Sequence, residues 1–127
     1  MLIEQLFNSV EQDDTIIAAA DINLFACAQL MTANNIGALP VVDDEDTIVG
    51  ILSERDVMRA IVKNKDSFFN LITQDVMTKQ VICCALGDDV LEVYKILVDN
   101  KIRHIPIANN NKLIGMLSIR DFKILVM

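Results

Sequence analysis

The chain has 127 residues, 53% of them apolar, and a formal net charge of −7 at pH 7. Nucleic-acid binding rests on clustered Lys and Arg that neutralise phosphates, so this acidic balance excludes nucleic acid as an expected partner. No apolar run approaches the roughly 18 residues of a membrane helix, and the start lacks a signal peptide's basic opening; no membrane partner and a cytoplasmic location are expected.

In chain order, a short helix is predicted over Leu2 to Val10. An apolar strand, Thr15-Ile16-Ile17-Ala18-Ala19, follows. Asn23 can cap a helix by accepting a free backbone N–H, and Leu24, Cys27, Ala28 and Met31 then recur at the spacing of one buried helical face. After the polar Ala33-Asn34-Asn35 comes a strand with Pro40, an acidic turn (Asp43-Asp44-Glu45-Asp46) and a second strand leading into Gly50. This reads as a β-hairpin whose acidic tip is solvated. Ser53 opens a helix continuing through Val57, Met58, Ala60 and Ile61, and Lys63 to Ser67 is a polar linker.

The same order then recurs. A short helix lies within Phe68 to Met77, and Val81-Ile82-Cys83-Cys84-Ala85 is the strand. Asp89 caps a helix with Val90, Val93, Tyr94 and Leu97 on one face. A hairpin with Pro106 and Gly115 follows, and Ser118 opens a last, short helix. Seven positions are identical between the copies: Ile36/Ile102, Pro40/Pro106, Gly50/Gly115, Leu52/Leu117, Ser53/Ser118, Arg55/Arg120 and Asp56/Asp121. One gap in the hairpin turn aligns them all. A period this long marks a duplicated supersecondary unit, with repeat 1 at 1–64 and repeat 2 at 65–127. The fold class is α/β (α+β), each repeat ordered β-α-β-β-α.

Metal chemistry finds no support. Cys83 and Cys84 are neighbours in a strand and point to opposite faces, so they do not chelate one ion together. His104 is the only histidine. The three cysteines read as buried apolar thiols.

The chemistry concentrates in Ser53-Glu54-Arg55-Asp56 and Ser118-Ile119-Arg120-Asp121, where a strand becomes a helix. Ser-x-x-acid is a capping box, which is the purely structural reading. Both copies nevertheless use Asp rather than Glu and insert Arg into a first turn that favours negative charge. A carboxylate there can accept both hydroxyls of a ribose, and Arg with free backbone N–H groups suits a phosphate. Sugar and phosphate together point to a nucleotide.

These motifs, the stretch Ile36-Gly37-Ala38-Leu39-Pro40-Val41-Val42, and Asp75-Val76-Met77-Thr78 resemble tandem CBS repeats, also called a Bateman module, over essentially the whole chain. The resemblance implies two βαββα units packed through their sheets with pseudo-two-fold symmetry, and clefts between them that take AMP, ADP, ATP, NAD or S-adenosylmethionine. It further implies a homodimer, and regulation of a separate, unidentified enzyme or transporter. Carried over by position, Asp56 and Asp121 hold the ribose. Ser53, Arg55, Ser118, Arg120, Arg103 and His104 meet phosphate. Ile16, Ile36, Gly37, Ala38, Pro40, Thr78, Ile82, Ile102 and Pro106 lie along the adenine. Gly37-Ala38 stands where the second copy has Arg103-His104, so the two sites are unequal in charge: either they differ in affinity or one is vacant.

No catalysis is expected, because the chain has no Gly-rich phosphate loop, no metal-ligand spacing and no nucleophile with a base. No cofactor is required beyond the adenosyl ligand. The alternative is a structural interaction or dimerisation module with non-functional clefts.

Overall fold

The structure is a computed structural model that describes residues 1–10 and 15–125. It resolves into two compact units. One runs from Ile16 to Val81, and the other joins the N-terminal segment to the chain from Ile82 onward. These units do not coincide with the sequence period of 1–64 and 65–127. Helix α1 (Ile3–Ser9) buries Ile3 and Leu6 completely in one cluster with Val90, Val93 and Leu97 of the second repeat. The polar linker and the segment after it stay with the first repeat, where Phe68 is buried beside Val57 and Ala60. The attachment of α1 leaves no periodic signal, because it depends on packing between segments distant in sequence.

In the unit from Ile16 to Val81, α2 (Leu24–Ala33) starts where Asn23 Oδ1 accepts the Ala26 N–H at 3.2 Å. Its buried residues are Leu24, Cys27 and Met31, three of the four on the predicted face, with Ala28 half-buried. The helix ends with Asn35 at φ 53°, the Ile36 N–H donating to Met31 O and the Asn35 N–H to Thr32 O. That pair of bonds defines a Schellman ending, which wants an apolar residue at the position of Ile36. β1 (Ala38–Val42) and β2 (Ile48–Ser53) form an antiparallel pair with a bulge between Val41 and Val42. α3 (Glu54–Asn64) follows directly, then 3-10 helices over Lys65–Asn70 and Thr73–Asp75.

The other unit repeats this device. In α4 (Val90–Asp99), Asp89 accepts the Leu91 and Glu92 N–H groups, and Val90, Val93 and Leu97 are buried. Lys101 takes φ 55°, with the Ile102 N–H on Leu97 O and the Lys101 N–H on Val98 O. The identity of Ile36 and Ile102 thus has a local cause: each closes the same helix ending. β3 (His104–Asn109) pairs with β4 (Lys112–Ser118), with a bulge between Ile107 and Ala108, the position equivalent to that in the first hairpin. A 3-10 helix, Ile119–Leu125, completes the described chain in place of the predicted terminal helix.

Two expected strands contract. The segments around Ala18 and Cys84 each make a single parallel bridge, to Val41 and Ile107. The bonds are Ala18 N–H to Pro40 O at 3.1 Å with Val42 N–H to Ala18 O, and Cys84 N–H to Pro106 O at 2.9 Å with Ala108 N–H to Cys84 O. The next rung of a parallel ladder would run from residue 40 or 106 to the carbonyl of Ile16 or Ile82. Proline has no N–H to give, so each ladder stops after one rung.

The shared glycines allow close approach of a side chain from outside the hairpin. A methyl group built on Gly115 would strike the Phe7 ring, and one on Gly50 would strike the Met77 thioether. A ring has no way to bend aside, whereas methionine re-orients easily. Gly115→Ala is expected to cost about 1–3 kcal/mol and Gly50→Ala less than about 1 kcal/mol, read by urea unfolding. Equal costs would contradict this packing.

Candidate functional site

Each hairpin brings its predicted residues to the end where the second strand runs into a helix. In the first, Ala38 pairs with Ser53, and the Glu54 N–H donates to Gly37 O at 3.0 Å. Residues 37–38 therefore lie beside residues 53–54. Pro40 pairs with Ile51, whose outer edge exchanges two hydrogen bonds with Thr78, at 3.0 and 2.9 Å. The bond from Ala18 to Pro40 draws the segment carrying Ile16 to the opposite edge. The eight residues predicted from this copy thus belong to one unit, together with Thr78 from beyond the repeat boundary.

The second copy matches. His104 pairs with Ser118, the Ile119 N–H donates to Arg103 O at 2.7 Å, and Pro106 pairs with Met116. The Cys84 bond to Pro106 brings in the segment of Ile82.

The capping-box reading of Ser-x-Arg-Asp is realised in full at the first junction. Ser53 N–H donates to Asp56 Oδ2 at 2.9 Å, and Asp56 N–H donates to Ser53 Oγ at 3.2 Å. Ser118 N–H donates to Asp121 Oδ2 at 2.7 Å. The cap engages Oδ2 only. A carboxylate has about four acceptor positions, so capping leaves Oδ1 to face another donor. Both aspartates are half-buried, while Arg55, Arg103 and Arg120 are exposed.

Burial divides the predicted adenine residues. Ala38, Pro40 and Pro106 are buried, so their side chains serve the unit's interior. Ile16, Ile36, Gly37 and Ile102 are half-buried, and Thr78 and Ile82 are exposed. Pro40 and Pro106 act through what they lack, since neither supplies the donor that would occupy the Ile16 or Ile82 carbonyl. A groove of about 640 Å³ lined by Val42, Asp43, Asp44, Val49 and Met77 lies at the opposite, hairpin-tip end of the first unit. None of the predicted ligand-binding residues lines it.

Sequence comparison of the junctions missed Glu54. It occupies the place that Ile119 takes in the second copy, and each donates its N–H to the residue, Gly37 or Arg103, that differs between copies. The signal was present as the one non-matching position inside the tetrad.

Cys27 and Cys84 are buried, but Cys83 is exposed, correcting the expectation of three buried thiols. Cys27 Sγ lies 3.0 Å from Thr73 Oγ1. Burial pushes the Cys84 thiol up to about 12, with Asp88 and Cys83 adding to it. Burial raises Cys27 as well, partly offset by Thr73. Thiols raised in this way are poor nucleophiles at neutral pH. Among the described residues no cluster of three or more His, Cys, Asp or Glu could hold a metal ion, and no helix is long and apolar enough to cross a membrane.

A family model described as "CBS domain" matches residues 8–63 and 73–126. The chain is 34% identical over 105 residues to the CBS domain-containing protein CBSX3, mitochondrial, of Arabidopsis thaliana, covering 80% of this chain and 51% of that protein. It spans 42%, 21% and 51% of the length of three curated relatives. Among solved structures, the CBS-domain containing protein ATU1752 from Agrobacterium tumefaciens superposes with a TM-score of 0.90 at 24% identity, covering 100% of both chains. The CBS domain pair of protein MJ0100, in complex with 5'-methylthioadenosine and S-adenosyl-L-methionine, superposes at 0.85 with 23% identity, covering 99% of this chain and 95% of that one.

Proposed function

The chain belongs to the CBS domain family, and from that membership and the paired junctions we propose that it is a regulatory module. Each unit binds an adenosine-containing ligand at its strand-to-helix junction, and occupancy is passed to a separate enzyme or transporter. The ligand belongs to the class AMP, ADP, ATP, NAD or S-adenosylmethionine. The module works by binding and performs no catalysis.

One observation carries the reading: both aspartates cap with Oδ2 alone. The same carboxylate then holds its helix start and offers Oδ1 to the two hydroxyls of a ribose. Pre-fixing the acceptor lowers the ordering cost of binding. The Ile16 and Ile82 carbonyls, denied a ladder partner by Pro40 and Pro106, are suited to accept from an exocyclic amine such as that of adenine. Ser53, Arg55, Ser118, Arg120, Arg103 and His104 supply donors for phosphate. That a CBS domain pair of the same fold was solved with two adenosyl compounds supports this ligand class.

The exposed apolar residues of α3, Met58 at 65% with Ile61 at 48% and Val62 at 77% each one turn further on, support self-association as a homodimer. Sedimentation equilibrium reads this directly, and a monomer at tens of micromolar would contradict it.

The cap bonds also favour a second reading, in which Ser53 and Asp56 serve folding alone and the module only assembles. Thermal unfolding with AMP, ATP, NAD and S-adenosylmethionine separates the two. A ligand at one hundred times its Kd is expected to add about 2.7 kcal/mol. At this chain length that raises Tm by roughly 10 °C. No shift with any of the four favours the structural reading.

A further inference from the structure

Resting on the adenosyl reading above, we infer that the two junctions take ligands of opposite charge class, and that residues 54 and 119 help set the difference. The backbone makes the comparison exact in position. Glu54 donates to Gly37 O and Ile119 donates to Arg103 O, while Ala38 and His104 pair with Ser53 and Ser118. Three neighbouring positions therefore differ between the two junctions, and two of them, Gly37/Arg103 and Glu54/Ile119, differ in the same electrostatic direction. The first junction has Gly37, Ala38 and Glu54; the second has Arg103, His104 and Ile119.

Arg55 and Asp56 offset each other in the first junction, as Arg120 and Asp121 do in the second. What remains is the Glu54 carboxylate on one side and the Arg103 guanidinium on the other. Glu54, Arg103 and Arg120 are exposed and reach solvent. A phosphate-bearing adenosyl ligand is attracted to the second junction, where Arg103 and Arg120 provide donors of the geometry phosphate favours. At the first junction its phosphates would face Glu54. That junction instead suits a ligand uncharged or cationic beyond the ribose, such as an adenosyl thioether or sulfonium. Gly37 also has no side chain there, where the other copy carries Arg103.

Calorimetric titration with ATP and with S-adenosylmethionine, alone and together, at low salt tests this on the wild-type protein, Glu54→Gln and Arg103→Gln. Each substitution is at an exposed position and leaves the Asp caps in place. Wild type is expected to take one ATP and one S-adenosylmethionine per chain without mutual displacement. Arg103→Gln should weaken ATP about two- to fivefold, the range for one exposed charge pair, and leave S-adenosylmethionine unchanged. Glu54→Gln should weaken S-adenosylmethionine by a similar factor and admit a second ATP. Added salt should shrink both differences. If both compounds fill both sites, compete, and ignore these substitutions, the charge assignment is overturned while the adenosyl reading stands. If neither binds, both are overturned.

Discussion

Replacing Asp56 and Asp121 together by alanine is expected to abolish the adenosyl-dependent rise in stability, a loss of about 2.7 kcal/mol at one hundred times Kd. The variant also loses two helix-start acceptors, Asp56 Oδ2 for the Ser53 N–H and Asp121 Oδ2 for the Ser118 N–H. Each is worth about 1 kcal/mol, so the unliganded protein should be less stable by about 2 kcal/mol. The two effects are separable. Asn23→Ala removes a cap from α2, where Asn23 Oδ1 accepts the Ala26 N–H and Nδ2 donates to Phe69 O. It should cost a similar amount per cap and leave the ligand response whole. Melting curves with and without ATP or S-adenosylmethionine decide the matter: parallel stability losses with an unchanged ligand shift in the double variant would reduce both aspartates to caps.

Phe122→Ala is expected to destabilise the protein by about 3–5 kcal/mol, the largest single effect among the positions considered. Phe122 is fully buried in a cluster with Ile3, Leu6, Leu97 and Leu117, and its ring lies 6.0 Å from that of Tyr94. It is also the anchor of the short 3-10 helix Ile119–Leu125 that carries Arg120 and Asp121. So short a helix gains little from its own hydrogen bonds and is held by packing. Removing the ring should therefore loosen the second junction as well as the core. Binding stoichiometry measured below the variant's Tm should fall by the site of that unit, while the site at Ser53–Asp56 persists. Phe122→Leu, which keeps most of the volume, should cost much less and retain both sites. A small loss for Phe122→Ala in urea unfolding would contradict this account of the cluster.

What could be read from the sequence was whatever repeats locally. The buried faces of α2 and α4, their Asn23 and Asp89 caps, both hairpins and both Ser-x-Arg-Asp junctions follow from spacing and capping chemistry. The opening strands are shorter than their composition suggests: Ile16-Ile17 and Ile82-Cys83 have strand composition, but Pro40 and Pro106 on the neighbouring strand remove the donor a second rung needs. The helical start over residues 65–67 is hidden under a polar composition, and Phe68 is the one buried residue of Lys65–Asn70. Assignment of α1 to the second repeat's core rests on Ile3, Leu6 and the fit of Phe7 over Gly115, contacts that no sequence period records. At the junctions, the residue types were legible, but the use of one carboxylate oxygen by the cap and the burial of Ala38, Pro40 and Pro106 were matters of three-dimensional placement.

The most direct test is a crystal structure of the protein grown with ATP and S-adenosylmethionine. The account predicts vicinal ribose hydroxyls within about 2.5–3.0 Å of the Asp56 and Asp121 carboxylates, with the serine amides still bound to the same side chains. Adenosyl density elsewhere, or none, with both carboxylates engaged by their own helix starts alone, would contradict it.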